Sequence, residues 1–118
     1  MLPRTIDWVD GRIVLVDQTA LPTIRTIAID DVDALVDAIR RLVVRGAPAL
    51  GVAGALGVAL AAHSGADLAV AADRLATARP TAVNLAVGVR RALAAAHAGP
   101  AAVLAVALTV RDEDVAAC

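Results

Sequence analysis

Arg45-Gly46-Ala47-Pro48-Ala49-Leu50-Gly51 is the joint on which the chain turns. Before it, Val32, Leu35, Val36, Ile39, Leu42 and Val43 fall at the spacing of one helical face, in a helix expected from an Asp30 or Asp31 cap to about Val44. After it, an uncharged stretch predicts a second helix over about Pro48 to Ala62, with Gly51, Gly54 and Gly57 at three-residue intervals. Gly46 suits the φ > 0 backbone that stops the first helix. Pro48 suits the first turn of the second. A helix start leaves backbone N–H groups unpaired and carries a partial positive charge, so it can hold a phosphate or carboxylate. Arg45 adds a planar, permanently charged donor fork. The competing outcome is a plain helix-to-helix turn with a surface arginine, and spacing alone favours that one.

Upstream, Thr5–Val9 and Arg12–Asp17 flank Asp10-Gly11, a dipeptide suited to a type I′ hairpin. Ile13-Val14-Leu15-Val16 is apolar on both faces, as a covered central strand should be. Leu21-Pro22 breaks the run and Ile24–Ile29 reads as a third strand, so a small antiparallel sheet opens the chain. Trp8, the one aromatic residue, is assigned to packing, with a partner expected for its indole N–H. In the first helix Asp31, Asp33 and Asp37 crowd the start while Arg40, Arg41 and Arg45 crowd the end, which complements the dipole.

Downstream, the three glycines of the second helix sacrifice roughly 3 kcal/mol of propensity relative to alanine, which close approach of another backbone or of a ligand explains, close helix packing being the favoured cause. No strand leads into them, so they are no dinucleotide fingerprint. A third helix is expected over Asp67 to Ala78, and Arg79-Pro80 stops it and starts a fourth, roughly Thr81 to His97. Gly99-Pro100 repeats that punctuation before a fifth helix, expected to break near Thr109 and recap at Asp112. Two arginines thus each precede a proline at a helix start. If the two bends converge they form a bidentate anion clamp.

The fold class is therefore α+β and mostly helical: a small amino-terminal antiparallel sheet, then a bundle of four to five helices. With 118 residues, 59% of them hydrophobic, the chain is one domain with a real core. A net charge of −1 and no basic run argue against nucleic acid. All 11 cationic side chains are arginine, which excludes a Schiff-base or Walker-type lysine within the chain. Cys118 is the lone cysteine, so no intrachain disulfide or multi-cysteine metal site exists. His63 and His97, near predicted helix ends, complement the macrodipole more readily than they bind metal. Gly46–Ala62 is short of a membrane span and interrupted by Pro48. No apolar signal core opens the chain, and a cytoplasmic location is expected.

Several runs in order along the chain resemble the amino-terminal part of the methylthioribose-1-phosphate isomerase family. They are Arg45-Gly46-Ala47-Pro48-Ala49-Leu50-Gly51-Val52-Ala53, Ala78-Arg79-Pro80-Thr81-Ala82-Val83-Asn84-Leu85-Ala86, Ile6-Asp7-Trp8 and Leu15–Pro22. That family is shared with ribose-1,5-bisphosphate isomerases and regulatory subunits of the translation-initiation guanine-nucleotide exchange factor. The resemblance implies that residues 1–118 are the isomerase's amino-terminal domain, with strands about 5–29 and a helical bundle about 31–118. It implies a carboxy-terminal Rossmann-like catalytic domain absent from this chain, and a homodimer in the full-length enzyme. The implied reaction is an aldose–ketose isomerisation of a phosphorylated pentose in methionine salvage, without cofactor or metal. Arg45, Gly46 and Ala47 match the substrate-holding turn and Arg79 the arginine that opens the second motif. Asn84 is a lesser candidate, for which a structural hydrogen bond within the bundle is the alternative. The family's catalytic cysteine and aspartate lie in the later domain, and Cys118 lacks that cysteine's context. No catalytic residue is assigned here, and the isolated chain is expected to be inactive and to self-associate or dissolve poorly. Leu56 and Val87 stand where the family often has tyrosine and tryptophan, and Pro22–Arg25 is shortened where Glu-Tyr is expected. The bisphosphate-isomerase or exchange-factor branch, and a non-enzymatic helical interaction module, are the alternatives.

Overall fold

A computed structural model describes residues 6–16, 25–41 and 47–116, with side chains at 6–16, 25–41 and 49–113. Strands β1 (Ile6–Val9), β2 (Arg12–Val16) and β3 (Thr26–Ile29) form an antiparallel sheet in the order β1-β2-β3, with β2 central as its composition requires. Asp10 and Gly11 have φ of 52° and 78°, the paired positive values of the expected hairpin turn. The register aligns Ile6, Leu15 and Ile27 in one row and Trp8, Ile13 and Ile29 in the next. These rows present the sheet's apolar face to the helices.

Helix α1 (Val32–Arg40) starts at an Asp31 cap whose carboxylate accepts from the Ala34 N–H at 2.7 Å, and it buries Leu35, Val36 and Ile39. It ends earlier than the expected Val44: Arg41 is the C-cap, its N–H bonded to the carbonyls of Asp37 and Ile39. Helix α2 (Ala47–Ser64) is buried at every position from Ala49 to Ala61. A helix apolar on all sides belongs inside a bundle. It packs against α1, α3 (Leu68–Thr77), α4 (Val83–Leu93), α5 (Pro100–Ala116) and strands β1 and β2. No described helix is long and apolar enough to cross a membrane.

Three expectations about the later helices are corrected. Pro80 does not open α4; it sits in a turn, and the helix starts at Val83 after an Ala82 N-cap. Helix α4 stops at Leu93, and a 3₁₀ turn over Ala96–Ala98 replaces its last expected turn. Helix α5 runs unbroken past Thr109, whose hydroxyl bonds the Ala105 carbonyl at 3.0 Å within the helix and recaps nothing. The Asp112–Glu113 segment lies in the helix, where Glu113 takes both guanidinium nitrogens of Arg91 at 2.8 and 2.7 Å. Arg111 ties α5 back to β1, donating to Asp7 at 2.7 Å.

His63 places Nδ1 2.9 Å from the Ala59 carbonyl, and His97 Nδ1 lies 2.9 Å from that of Ala94. Each thus finds its partner in the turn before it. Trp8 is half-buried beside His63, with ring centroids 5.6 Å apart; its indole N–H has no partner among the described residues, contrary to expectation.

Candidate anion-binding site

The glycines bring the two candidate helix starts together. An ideal Cβ on Gly51 would lie 3.2 Å from the Asn84 carbonyl oxygen, and one on Gly54 2.6 Å from that of Leu85. One on Gly88 would lie 2.0 Å from the Gly51 carbonyl oxygen. Backbone therefore meets backbone where α2 crosses α4, within one or two turns of both N-terminal ends. The third glycine serves another neighbour: a Cβ on Gly57 would strike Leu35 Cδ2 at 2.7 Å and Leu75 Cδ1 at 2.8 Å. The expected reason for Gly51 and Gly54, close helix packing, holds. Gly88 escaped the sequence reading, although an unexplained glycine inside an amphipathic helix is itself a packing signal.

The start of α4 lacks the carboxylate cap that α1 and α3 carry, as does that of α5, which follows Gly99. Asp31 caps α1, and Asp67 caps α3 through the N–H groups of Ala69 and Val70 at 3.0 and 3.3 Å. Ala82 offers α4 no side-chain acceptor. The positive end of its dipole therefore faces outward without a capping carboxylate. Arg79 lies in the bend just before it, half-buried, with its carbonyl accepting from the Ala82 N–H at 2.9 Å. Its guanidinium makes no hydrogen bond or ion pair among the described residues; Arg25, Arg40 and Arg90 are likewise unpaired but exposed, and Arg12, Arg41, Arg74, Arg91 and Arg111 pair with carboxylates. Asn84 is exposed in the first turn of α4, and its side chain has no hydrogen bond among the described residues.

Of the other candidates, Ala47 is the first residue of α2, while Arg45 and Gly46 lie outside the described residues. Asn84 lies at the α2 crossing and Arg79 beside the same helix start. Leu56 is fully buried in the core, and Val87 is 38% exposed on α4. The described residues hold no group of three or more His, Cys, Asp or Glu side chains placed to bind a metal.

No protein-family model matches the chain. Individual relatives do. The chain is 55% identical over 108 residues to a methylthioribose-1-phosphate isomerase of Anaeromyxobacter sp. (strain K), covering 88% of this chain and 32% of that enzyme. In structure it resembles 5-methylthioribose 1-phosphate isomerase of Pyrococcus horikoshii OT3, with a TM-score of 0.88 and 28% identity over 95% of this chain and 36% of that one. It also resembles translation initiation factor eIF-2B subunit delta from A. fulgidus, with a TM-score of 0.82 and 45% identity over 96% of this chain and 36% of that one. The chain spans about a third of the length of the relatives it matches. On sequence and fold together, it belongs to the methylthioribose-1-phosphate isomerase family.

Proposed function

We propose that this stretch is the amino-terminal, substrate-holding part of a methylthioribose-1-phosphate isomerase, acting on a phosphorylated pentose in methionine salvage. Its task is to fix the phosphate of an aldose 1-phosphate while hydrogen moves between C1 and C2 to give the ketose phosphate. The supporting observation is the crossing of α2 and α4, which sets two helix starts side by side, one of them uncapped and flanked by the unpaired Arg79. Arg45 and Gly46 directly precede α2 in the sequence. A phosphate seated there gains backbone N–H bonds, two favourable dipole ends and two arginine forks.

In this reading the reacting groups lie in a second, Rossmann-like domain, no cofactor takes part, and the full-length enzyme is a cytoplasmic homodimer. The test is turnover. The full-length protein should convert methylthioribose-1-phosphate to its ketose isomer, and the 118-residue chain alone should not. Ketose product from the purified chain, lost on Arg45→Ala, would show that the chemistry is here instead. The 45% identity to the initiation-factor subunit supports a second reading, the exchange-factor branch of the family, in which methylthioribose-1-phosphate is not turned over. A full-length protein that binds methylthioribose-1-phosphate but leaves it unchanged would favour that one.

A further inference from the structure

We propose that the glycine junction between α2 and α4 is a positioning device for the anion site, with Gly54 and Gly88 as its deciding residues. The proposal rests on the reading above, that both helix starts hold the substrate. A phosphate bound between two helix ends is sensitive to their separation. That separation is set by the nearest rigid contact downstream, and here it is backbone on backbone. Helices packed through side chains stand about 8–10 Å apart, and their side chains can adjust. At Gly88 no side chain intervenes: the Gly51 carbonyl oxygen occupies the position 2.0 Å from where a Cβ would sit. Restoring an ordinary contact of 3.4 Å would push the helices apart by about 1.4 Å. The same methyl group at Gly54 would demand about 0.8 Å, and at Gly51 about 0.2 Å. Asn84 and Gly51 lie within five residues of the helix starts, so a shift at the crossing reaches the anion site with little room to relax.

Gly57 supplies an internal contrast on the same helix. A Cβ there would approach to 2.7 Å against 2.6 Å at Gly54, but its neighbours are the side-chain ends of Leu35 and Leu75, away from α4. Substitution at either glycine stresses the core. Only substitution at the α4 junction changes the spacing of the helix starts.

The experiment compares Gly51→Ala, Gly54→Ala, Gly88→Ala, Gly57→Ala and Arg79→Ala in the full-length isomerase that carries this stretch. It reads KM and kcat for methylthioribose-1-phosphate, Kd for inorganic phosphate, and Tm. Expected is a graded rise in KM and phosphate Kd from Gly51→Ala through Gly54→Ala to Gly88→Ala, the last by about ten- to hundred-fold, as angstrom-scale misplacement produces. Gly57→Ala should lower Tm less than Gly54→Ala, because the ends of Leu35 and Leu75 can shift, and should leave KM and phosphate Kd unchanged. If Gly88→Ala does not fold, Gly54→Ala against Gly57→Ala decides. Equal KM and Kd in those two variants would overturn the positioning role. Arg79→Ala separates the failures: if it weakens phosphate binding while Gly54→Ala behaves like Gly57→Ala, the positioning role alone is refuted. If Arg79→Ala leaves phosphate binding intact, the anion-site reading falls and the inference with it.

Discussion

Leu56→Ala probes the claim that α2 is the axis of the fold. Leu56 is fully buried midway along a helix that other elements surround. Removing its outer carbons forfeits about 0.8 kcal/mol per buried carbon, roughly 2.4 kcal/mol in all. A cavity term follows, and its size depends on whether neighbours can collapse inward. Helix α2 is braced by four helices and held at Gly51 and Gly54 by backbone contacts with α4, so collapse is restricted. The total should therefore fall in the upper part of the usual range, about 3.5–5 kcal/mol. A domain of this size has a stability of about 6–18 kcal/mol, so the variant stays folded but weakened. Urea denaturation followed by far-UV circular dichroism and by Trp8 fluorescence should show coincident transitions, the midpoint lowered by roughly 1.5–3 M. Val83→Ala is the control: Val83 is 69% exposed, and its loss should change stability by no more than about 0.5 kcal/mol. A Leu56→Ala loss below about 1 kcal/mol would refute the central placement of α2.

A double-mutant cycle with Asp7→Asn and Arg111→Met should give a coupling of about 1 kcal/mol by thermal denaturation, since side-chain exposures of 32% and 20% leave the pair partly screened. Zero coupling would mean that Arg111 does not tie α5 to β1. The bond from Arg91 holds the Glu113 carboxyl below its ordinary range. Because the folded value is the lower one, the pair's contribution is complete above the ordinary glutamate value of about 4.3 and disappears as pH falls through the depressed value. Arg91→Gln should accordingly lower Tm near neutral pH and have no effect in strong acid; an equal effect at both would contradict the pairing. Asp67→Ala removes the acceptor for two N–H groups of α3 and should cost about 1 kcal/mol by denaturant titration, whereas Asp67→Asn should cost less.

The sheet and helix starts were legible wherever local chemistry decides them. Asp10-Gly11 forces its hairpin turn, and Asp31 and Asp67 cap their helices as their side chains dictate. The helix ends were less legible, because tertiary contacts compete with local punctuation there. Pro80 marks a bend correctly but cannot show that two more residues, Thr81 and Ala82, pass before α4 begins. Thr109 and Asp112 look like a recapping pair in sequence, yet Thr109 bonds its own preceding turn and Asp112 joins Arg111. The long-range ties were not legible: Asp7 and Arg111 lie 104 residues apart, and no period or motif links them. At the candidate site, Gly51 and Gly54 announced a close approach without naming its partner, and Gly88 as the other half is a fact of packing. Arg79 and Asn84 stand out by motif; that neither side chain has a partner among the described residues is a fact of the fold.

The central claim is that the Arg45 turn and the Arg79 bend hold one anion together. Calorimetric titration of a sugar phosphate into full-length protein bearing Arg45→Ala, Arg79→Ala or both tests it most directly. Each single change should weaken binding about ten- to hundred-fold, the worth of a charge-assisted bond of roughly 1.5–3 kcal/mol. The double change should weaken it by less than the product, since two forks on one phosphate are coupled. Arg45→Lys should recover only part of the loss, because an ammonium cannot reproduce a planar fork. Unchanged affinity in Arg45→Ala would contradict the account and leave the turn a helix connector.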